Sequence, residues 1–176
     1  MGMACLWPDD GLALDEDFEL GAFRPGWSVI DVDGLTPDAG VSFVTDAFVV
    51  VDQFEPGANF GAYSTSWYAP AGQSDDWLVS PQVTIGAASM LSWEGWAPDA
   101  GFPDGYEVRI STTGPTVMGF MAHAPLDSIA AEADVFTGHM VDLAVAGYAN
   151  QDVYIAWRNN STDQFVLVID NVQITE

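Results

Sequence analysis

The stretch FPDGYEVRISTTGPT, residues 102–116, decides the fold class of this chain. Within it Tyr106, Val108 and Ile110 alternate with polar residues, which is the two-residue period of a strand with one buried face. The four residues that follow, Thr-Thr-Gly-Pro at 112–115, are of types that turn a chain rather than extend it. The stretch therefore predicts one strand of a β domain, ended by a turn.

Strand-like runs recur on both sides of this stretch at short intervals, and residues 165–169 form a continuous apolar run typical of a strand buried on both faces. Only residues 126–133 (LDSIAAEA) have a helix-forming composition. Short strands separated by turns predict an all-β, two-sheet antiparallel sandwich, with a closed barrel as the alternative. The predicted strands lie at residues 17–20, 27–31, 47–52, 62–67, 76–79, 90–97, 107–111, 140–143, 153–158 and 165–175.

The length and composition suit one domain with a large core. The chain has 176 residues, of which 49% are hydrophobic, and no apolar run is long enough to span a bilayer. We expect a soluble domain at residues 15–176, preceded by an N-terminal arm at residues 1–14. Cys5 is the single cysteine, so the fold does not depend on an internal disulfide. Residues 1–7 lack the basic and apolar regions of a signal peptide.

The charge balance is extreme. The chain has 26 Asp and Glu residues, three arginines and no lysine, which gives a formal net charge of -23. Such a chain repels phosphate backbones and anionic lipid, which disfavours nucleic-acid binding and membrane insertion. Three interpretations remain: a solvated acidic surface, carboxylates that converge on a divalent cation such as calcium, and a surface for a cationic partner. Most of the acids belong to the first, because a metal site uses only a handful.

Four groups of segments, in the same order along the chain, resemble the cleaved-adhesin or choice-of-anchor-J family, with a looser similarity to MAM-type domains. The resemblance implies a jelly-roll strand order and a non-catalytic binding or adhesion module that works outside a cell or on a particle. The segments are DFE at 17–19 with PGW at 25–27 and IDVDG at 30–34, SDDWLVSP at 74–81 with LSW at 91–93, the opening stretch at 102–116, and MVDL at 140–143 with VYIAWR at 153–158 and DQFVLVIDNV at 163–172.

The resemblance also implies a calcium site. In a jelly roll the first and last strands are neighbours, so Glu19 and Asp170 are expected to meet although about 150 residues separate them. Only three arginines are present to relieve their repulsion, whereas calcium prefers carboxylate and carbonyl oxygens. Asp76 and Asp17 are the next candidate ligands, and Asn171 stands where the family has a second Asp. The alternative is that Glu19 and Asp170 bind backbone amides or Arg158.

Catalytic constellations are poor. The two histidines, His123 and His139, lie in no recognisable motif, and the chain has no nucleophile elbow, phosphate loop or zinc-protease helix. The DVDG at 31–34 resembles the opening of an EF-hand loop but fails its spacing. Acids are so abundant that no pair stands out for glycoside hydrolysis. We therefore predict that the chain is not an enzyme.

Aromatic residues near Pro- and Gly-rich loops are the candidates for ligand binding. Trp67, Tyr68, Trp96 and Phe102 lie in such loops, where they are able to stack on a sugar ring or enter a partner's pocket. Five others fall at strand positions and are expected in the core: Tyr106, Trp77, Trp93, Trp157 and Phe165.

The leading hypothesis is a calcium-stabilised adhesion module that binds a protein or glycan on a cell or virion surface. The first alternative is a structural subunit of a virion, fibre or other assembly, forming a homo-oligomer when the N-terminal arm docks on a neighbour. The second alternative is a carbohydrate-binding module, which requires exposed aromatics around a concave site.

Overall fold

A computed structural model describes residues 11–54 and 59–176. Within these ranges the chain forms strands joined by short turns, a single turn of 3-10 helix at Ala39–Val41 and a short helix, α1, at Val117–Phe120. The strands are β1 (Leu12–Glu16), β2 (Ser28–Asp31), β3 (Val49–Val51), β4 (Gly61–Thr65), β5 (Asp76–Val79), β6 (Val83–Thr84), β7 (Met90–Trp96), β8 (Tyr106–Ser111), β9 (Asp127–Ile129), β10 (Thr137–Asp142), β11 (Asp152–Asn159) and β12 (Val166–Thr175).

The strands form two antiparallel sheets that pack face to face. The first sheet has the order β10-β7-β12-β4-β3, and β1 pairs with the C-terminal half of β12. The second sheet has the order β2-β5-β11-β8-β9, and β6 pairs with the start of β11. This confirms the predicted two-sheet sandwich, and the first and last strands of the described chain are neighbours as expected.

The core lies between the sheets because alternate residues of each strand face inward. On β11, Val153, Ile155 and Trp157 are fully buried in the main hydrophobic cluster, while the intervening Tyr154 and Arg158 are only partly buried. The Trp157 ring lies between two other indoles, with centroids 6.0 Å from Trp27 and 6.2 Å from Trp93. Aromatic burial of this kind supplies much of the driving force for folding.

The opposite faces of both sheets are also partly apolar. On the first sheet, Tyr63 and Val168 pack with a row of half-buried aromatic side chains in a cluster separate from the main core. On the outer face of the second sheet α1 packs over part of the surface, and its Phe120 stacks on Trp77 with ring centroids 5.6 Å apart. The row on the first sheet consists of Phe43, Phe54, Trp67, Trp96, Phe136 and Phe165.

Two segments differ from the secondary structure expected from the sequence. Residues 17–20, predicted as a strand, form a turn in which Phe18 has a φ of 54° and its carbonyl accepts a hydrogen bond from the Gly21 amide. Residues 126–133, the segment with helical composition, contain β9 instead. This segment pairs with β8, and the Leu126 amide donates to the Val108 carbonyl just before the paired residues. These strand contacts override a weak helical preference.

The two ends of the described domain meet. β1 begins at Leu12, so residues 12–14, which the sequence assigns to the arm, lie in the first sheet, and Leu14 is buried. The Glu176 amide donates to the Gly11 carbonyl at 3.0 Å. Residues 1–10 of the arm, including Cys5, lie outside the described residues, so docking of the arm on a neighbour stays a prediction. Among the described residues, no helix is both long enough and apolar enough to cross a membrane.

We expect Leu14→Ala to lower the free energy of unfolding by about 2–5 kcal/mol, because it removes a buried leucine from the seam of the first sheet. Urea unfolding followed by tryptophan fluorescence measures the change. Leu20→Ala is the matched control, since Leu20 is 70% exposed and its loss should change stability by less than about 0.5 kcal/mol. Equal effects of the two substitutions would show that β1 does not contribute to the fold.

Candidate functional site

Three loops at one end of the sandwich form a cavity of about 320 Å³, here called the aromatic pocket. Trp67 follows β4, Phe102 lies between β7 and β8, and Phe165 immediately precedes β12. The ring centroids of Trp67 and Phe165 are 6.1 Å apart with an interplanar angle of 53°, and Phe102 is 56% exposed. The polar lining consists of Asp99, Asp163 and Gln164.

Hydrogen bonds between the three loops hold the pocket together. The Ser66 hydroxyl donates to Asp104 Oδ1 at 2.6 Å and accepts from the Gln164 amide at 3.1 Å. The Phe165 amide donates to the Phe102 carbonyl at 3.0 Å. Phe102 and Phe165 therefore take part directly in hydrogen bonds between the loops, and Trp67 follows Ser66, which does so too.

Asp104 is the buried centre of this network. It is fully buried, and among the described residues its Oδ2 makes no hydrogen bond of good geometry. Burial raises the pKa of Asp104 to about 7, although the hydrogen bond from Ser66 and the nearby Asn159 and Ser161 side chains act to lower it. Burial beneath the loops thus favours the protonated form of this carboxyl group.

The structure brings together two of the four aromatic residues predicted to bind a ligand. Trp67 and Phe102 line the aromatic pocket. Tyr68 is buried, and its hydroxyl donates to Asp76 at 2.7 Å. Trp96 lies on the outer face of the first sheet, where its ring is 4.9 Å from that of Phe136. Phe165, expected in the core, lines the pocket instead, because it lies just before the start of β12.

Glu19 and Asp170, the first two predicted metal ligands, accept hydrogen bonds from the consecutive residues 60 and 59. Glu19 Oε1 accepts from the Phe60 amide at 2.9 Å, and Asp170 Oδ2 accepts from the Asn59 side chain at 2.9 Å. Burial raises the pKa of Asp170 to about 6; hydrogen bonds from Asn59 and Asn171 lower it, and the charges of Glu94 and Glu19 raise it. The two acids therefore lie close enough to repel each other, and both accept amide hydrogens.

Arg158, the predicted alternative partner of Glu19 and Asp170, contacts other acids. Its Nε donates to Asp75 at 2.6 Å and its Nη1 to Glu107 at 3.2 Å.

Asp76 and Asp17, the other two predicted ligands, lie in separate places. Asp17 accepts from Arg24 at 3.0 Å. Asp76 forms a cluster with Asp31 and Asp33, in which carboxylate oxygens lie within 4.8 Å of one another. Burial raises the pKa of Asp76 to about 8, the hydrogen bond from Tyr68 lowers it, and the charges of Asp33 and Asp31 raise it. Sequence reasoning missed this cluster, although antiparallel pairing of β2 with β5 places Asp31 opposite Asp76.

His139 is part of a buried polar chain. Its Nε2 lies 2.8 Å from Glu132 Oε2, which also accepts from the Tyr106 hydroxyl at 2.8 Å. The imidazole stacks on Trp93 with ring centroids 5.2 Å apart. These contacts join β10 to β8 and give His139 a structural role.

Comparison with known proteins assigns the family. The family model described as Cleaved Adhesin Domain matches residues 12–174. The chain belongs to the cleaved adhesin domain family. This confirms the resemblance found in the sequence and makes the chain an adhesion-type module.

Relatives of the cleaved adhesin domain include much longer proteins. Hemagglutinin A of Porphyromonas gingivalis is 28% identical over 183 residues, which cover 92% of this chain and 7% of that protein. A second Hemagglutinin A, from strain ATCC BAA-308 / W83, is 26% identical over the same share of this chain. The chain therefore spans only a small part of the length of these relatives.

Solved structures support the same fold. The K3 cleaved adhesin domain of Lys-gingipain from Porphyromonas gingivalis W83 superposes with a TM-score of 0.68 and 25% identity, covering 93% of this chain and 97% of that one. TmCBM61, solved in complex with β-1,4-galactotriose, has a TM-score of 0.58 and 11% identity over 92% of this chain and 95% of that one. The second likeness shows only that the cleaved adhesin domain shares its sandwich with that module.

We expect Asp104→Asn to weaken the pH dependence of the cleaved adhesin domain's stability. Because the folded pKa, about 7, is above the ordinary 3.8, the folded state keeps a proton that the unfolded chain loses. The stability from this group is full below pH 4 and is lost as the pH rises through 7. Asparagine keeps an oxygen acceptor for Ser66 but cannot ionise, so the fall in unfolding free energy should lessen by up to about 1.4 kcal/mol per pH unit.

Urea unfolding at several pH values between 4 and 8 measures this slope for the wild type and Asp104→Asn. The matched control is Asp134→Asn, which removes one charge at an exposed position. Identical slopes for Asp104→Asn and the control would contradict the buried, raised-pKa state of Asp104.

Proposed function

We propose that this cleaved adhesin domain is a non-catalytic, cell-surface adhesion module that binds neutral sugars at the aromatic pocket. The observation that carries the proposal is the convergence of Trp67, Phe102 and Phe165 with Asp99, Asp163 and Gln164 around one cavity. Aromatic rings stack on the apolar faces of sugars, and carboxylate and amide oxygens accept hydrogen bonds from sugar hydroxyls.

The polar groups of the pocket have capacity for a ligand. Asp99 Oδ1 accepts from the Gly101 amide at 2.8 Å, and among the described residues no hydrogen bond or ion pair involves Asp99 Oδ2 or the Asp163 carboxylate. Gln164 Nε2 donates to the Thr162 carbonyl, and its Oε1 accepts no hydrogen bond from the described residues. These groups are mainly acceptors, which suit the hydroxyl donors of a sugar.

The charge of the aromatic pocket favours neutral sugars over anionic ones. The pocket presents two carboxylates in a chain of net charge -23, so sulfated or sialylated glycans would be repelled. A neutral glycan carries no such cost. The relatives add support by analogy of fold: TmCBM61 is described in complex with β-1,4-galactotriose and a CBM22-1 domain of Paenibacillus barcinonensis as xylan-binding.

We also propose that calcium stabilises the module at the seam between Glu19 and Asp170. Two acids held near each other, with Glu94 adjacent, repel one another, and the raised pKa of Asp170 records that cost alongside burial. A divalent cation would relieve the repulsion by taking these carboxylates as ligands. The fit is supported by the donor set, which is rich in hard oxygens of the kind that calcium prefers.

We expect Phe102→Ala to weaken binding of β-1,4-galactotriose or xylohexaose about tenfold, because a stacked aromatic anchor contributes roughly 1–2 kcal/mol. Isothermal titration calorimetry measures the affinity. Since Phe102 is exposed, its removal should leave the fold intact, and Met118→Ala, which removes a side chain that is 83% exposed on α1, is the control. Binding that survives Phe102→Ala unchanged would place the site elsewhere, and no binding of either sugar would contradict the proposal.

For calcium, we expect EDTA to lower the melting temperature by about 5–10 °C and added calcium to restore it, as for a ligand present at roughly a hundredfold above its Kd. Differential scanning calorimetry measures the shift. Glu19→Gln and Asp170→Asn should abolish the response, whereas Asp31→Asn should keep it. A response lost only in Asp31→Asn would show that the ion binds at the cluster around Asp76. A melting temperature that EDTA does not change would contradict the proposed calcium site.

A further inference from the structure

A second cleft, of about 500 Å³ and here called the polar cleft, adjoins the aromatic pocket. Gln164 lines both cavities, and two chain segments pass from one to the other: Phe102 to Pro103 and Thr162 to Asp163. The remaining lining comes from the β8–β9 pair and the loop after β11: Gly105, Tyr106, Glu107, Ser128, Ile129, Ala130, Ala131, Asn160 and Ser161.

The polar cleft contains uncharged polar side chains that are available to a ligand. Among the described residues, no hydrogen bond involves the side chains of Ser128, Asn160 or Thr162, although the Asn160 carbonyl accepts from Gln73. Two hydroxyls and an amide therefore offer both donors and acceptors at the surface of one concave site. Such a lining matches a ligand that itself carries both donors and acceptors, as sugar hydroxyls do.

The polar cleft is close to neutral although the chain is strongly acidic. Glu107 is the charged residue among those lining it, and it accepts from Arg109 Nε at 2.8 Å and Arg158 Nη1 at 3.2 Å. Burial acts to raise the pKa of Glu107, but the hydrogen bonds and charges of the two arginines outweigh it and lower the pKa. Two of the three arginines of the chain thus neutralise the carboxylate beneath this cleft.

The walls of the polar cleft are held in place by the backbone. The Gly105 amide donates to the Ser161 hydroxyl at 2.6 Å, and that hydroxyl donates to the Gly105 carbonyl at 2.9 Å. β9 pairs with β8 on the other side, placing Ile129 opposite Tyr106. Because paired strands and a loop held by two hydrogen bonds form this cleft, ligand binding costs little conformational entropy of the protein.

We propose that the aromatic pocket and the polar cleft form one groove for a linear, neutral oligosaccharide. The aromatic pocket stacks on one sugar unit, and Ser128, Asn160 and Thr162 hydrogen-bond the hydroxyls of the units that follow across Gln164. The inference rests on the proposed function and adds to it that the ligand is a chain of sugars rather than a single terminal unit. Specificity for the chain comes from the polar cleft and affinity for the first unit from the aromatic pocket.

The experiment compares affinity with ligand length. Calorimetry with β-1,4-linked galactose oligomers and with xylose oligomers, each of one to six units, should show affinity rising beyond the first unit in at least one series. Asn160→Ala and Ser128→Ala should each weaken binding of the longest ligand about three- to tenfold and leave the shortest ligand that binds unchanged. Phe102→Ala should weaken all lengths alike.

The outcomes separate this inference from the proposed function. Affinity that is constant with length, or a loss in Asn160→Ala equal for short and long ligands, overturns the groove and leaves sugar binding at the aromatic pocket standing. Absence of binding to both series overturns the groove together with the proposed function. Thermal unfolding of Ser128→Ala, a change at an exposed position, verifies that the fold is intact, and Thr112→Ala, at an exposed position just after the far end of β8, is the matched control.

Discussion

Burial of β12 on both of its faces is the constraint on which the rest of the structure depends. Val166 to Ile169 are fully buried, with Leu167 and Ile169 in the main core and Val166 and Val168 in the outer cluster. The strand pairs with β1, β4 and β7, so it joins the beginning, middle and end of the chain. Phe165 enters the aromatic pocket at its start and Asp170 reaches the acidic seam at its middle. Loss of either face of β12 would therefore disturb both candidate sites.

The electrostatics follow from a shortage of cations. Each of the three arginines contacts carboxylates: Arg24 meets Glu16 and Asp17, Arg109 meets Glu107, and Arg158 meets Asp75 and Glu107. The buried acids far from them are stabilised by hydroxyl and amide donors instead, and burial raises the pKa of Asp76, Asp104 and Asp170. The net charge is thus mostly a surface property, while burial favours the protonated form of a few interior acids.

The sequence predicted the strands whose faces differ in polarity and missed the features that depend on contacts between distant segments. β8 and β11 show clear alternation and were located to within a residue, whereas the two-residue β6 and the short β9 have no period to read. Trp67 and Phe102 were placed near loops by the neighbouring Pro and Gly residues. Asp104 and the Asp31–Asp76 neighbours were not recognised, because their roles follow from tertiary packing and strand pairing.

The hydrogen bond between Glu176 and Gly11 holds the two ends of the described chain together. The described chain therefore begins and ends at the same edge of the first sheet, where β1 and the end of β12 lie side by side. The aromatic pocket is at the other end of β12, and ten residues of strand span roughly 30 Å. A force applied between a ligand in the pocket and this edge would therefore act along the length of β12 and shear its ladders, loading many hydrogen bonds at once.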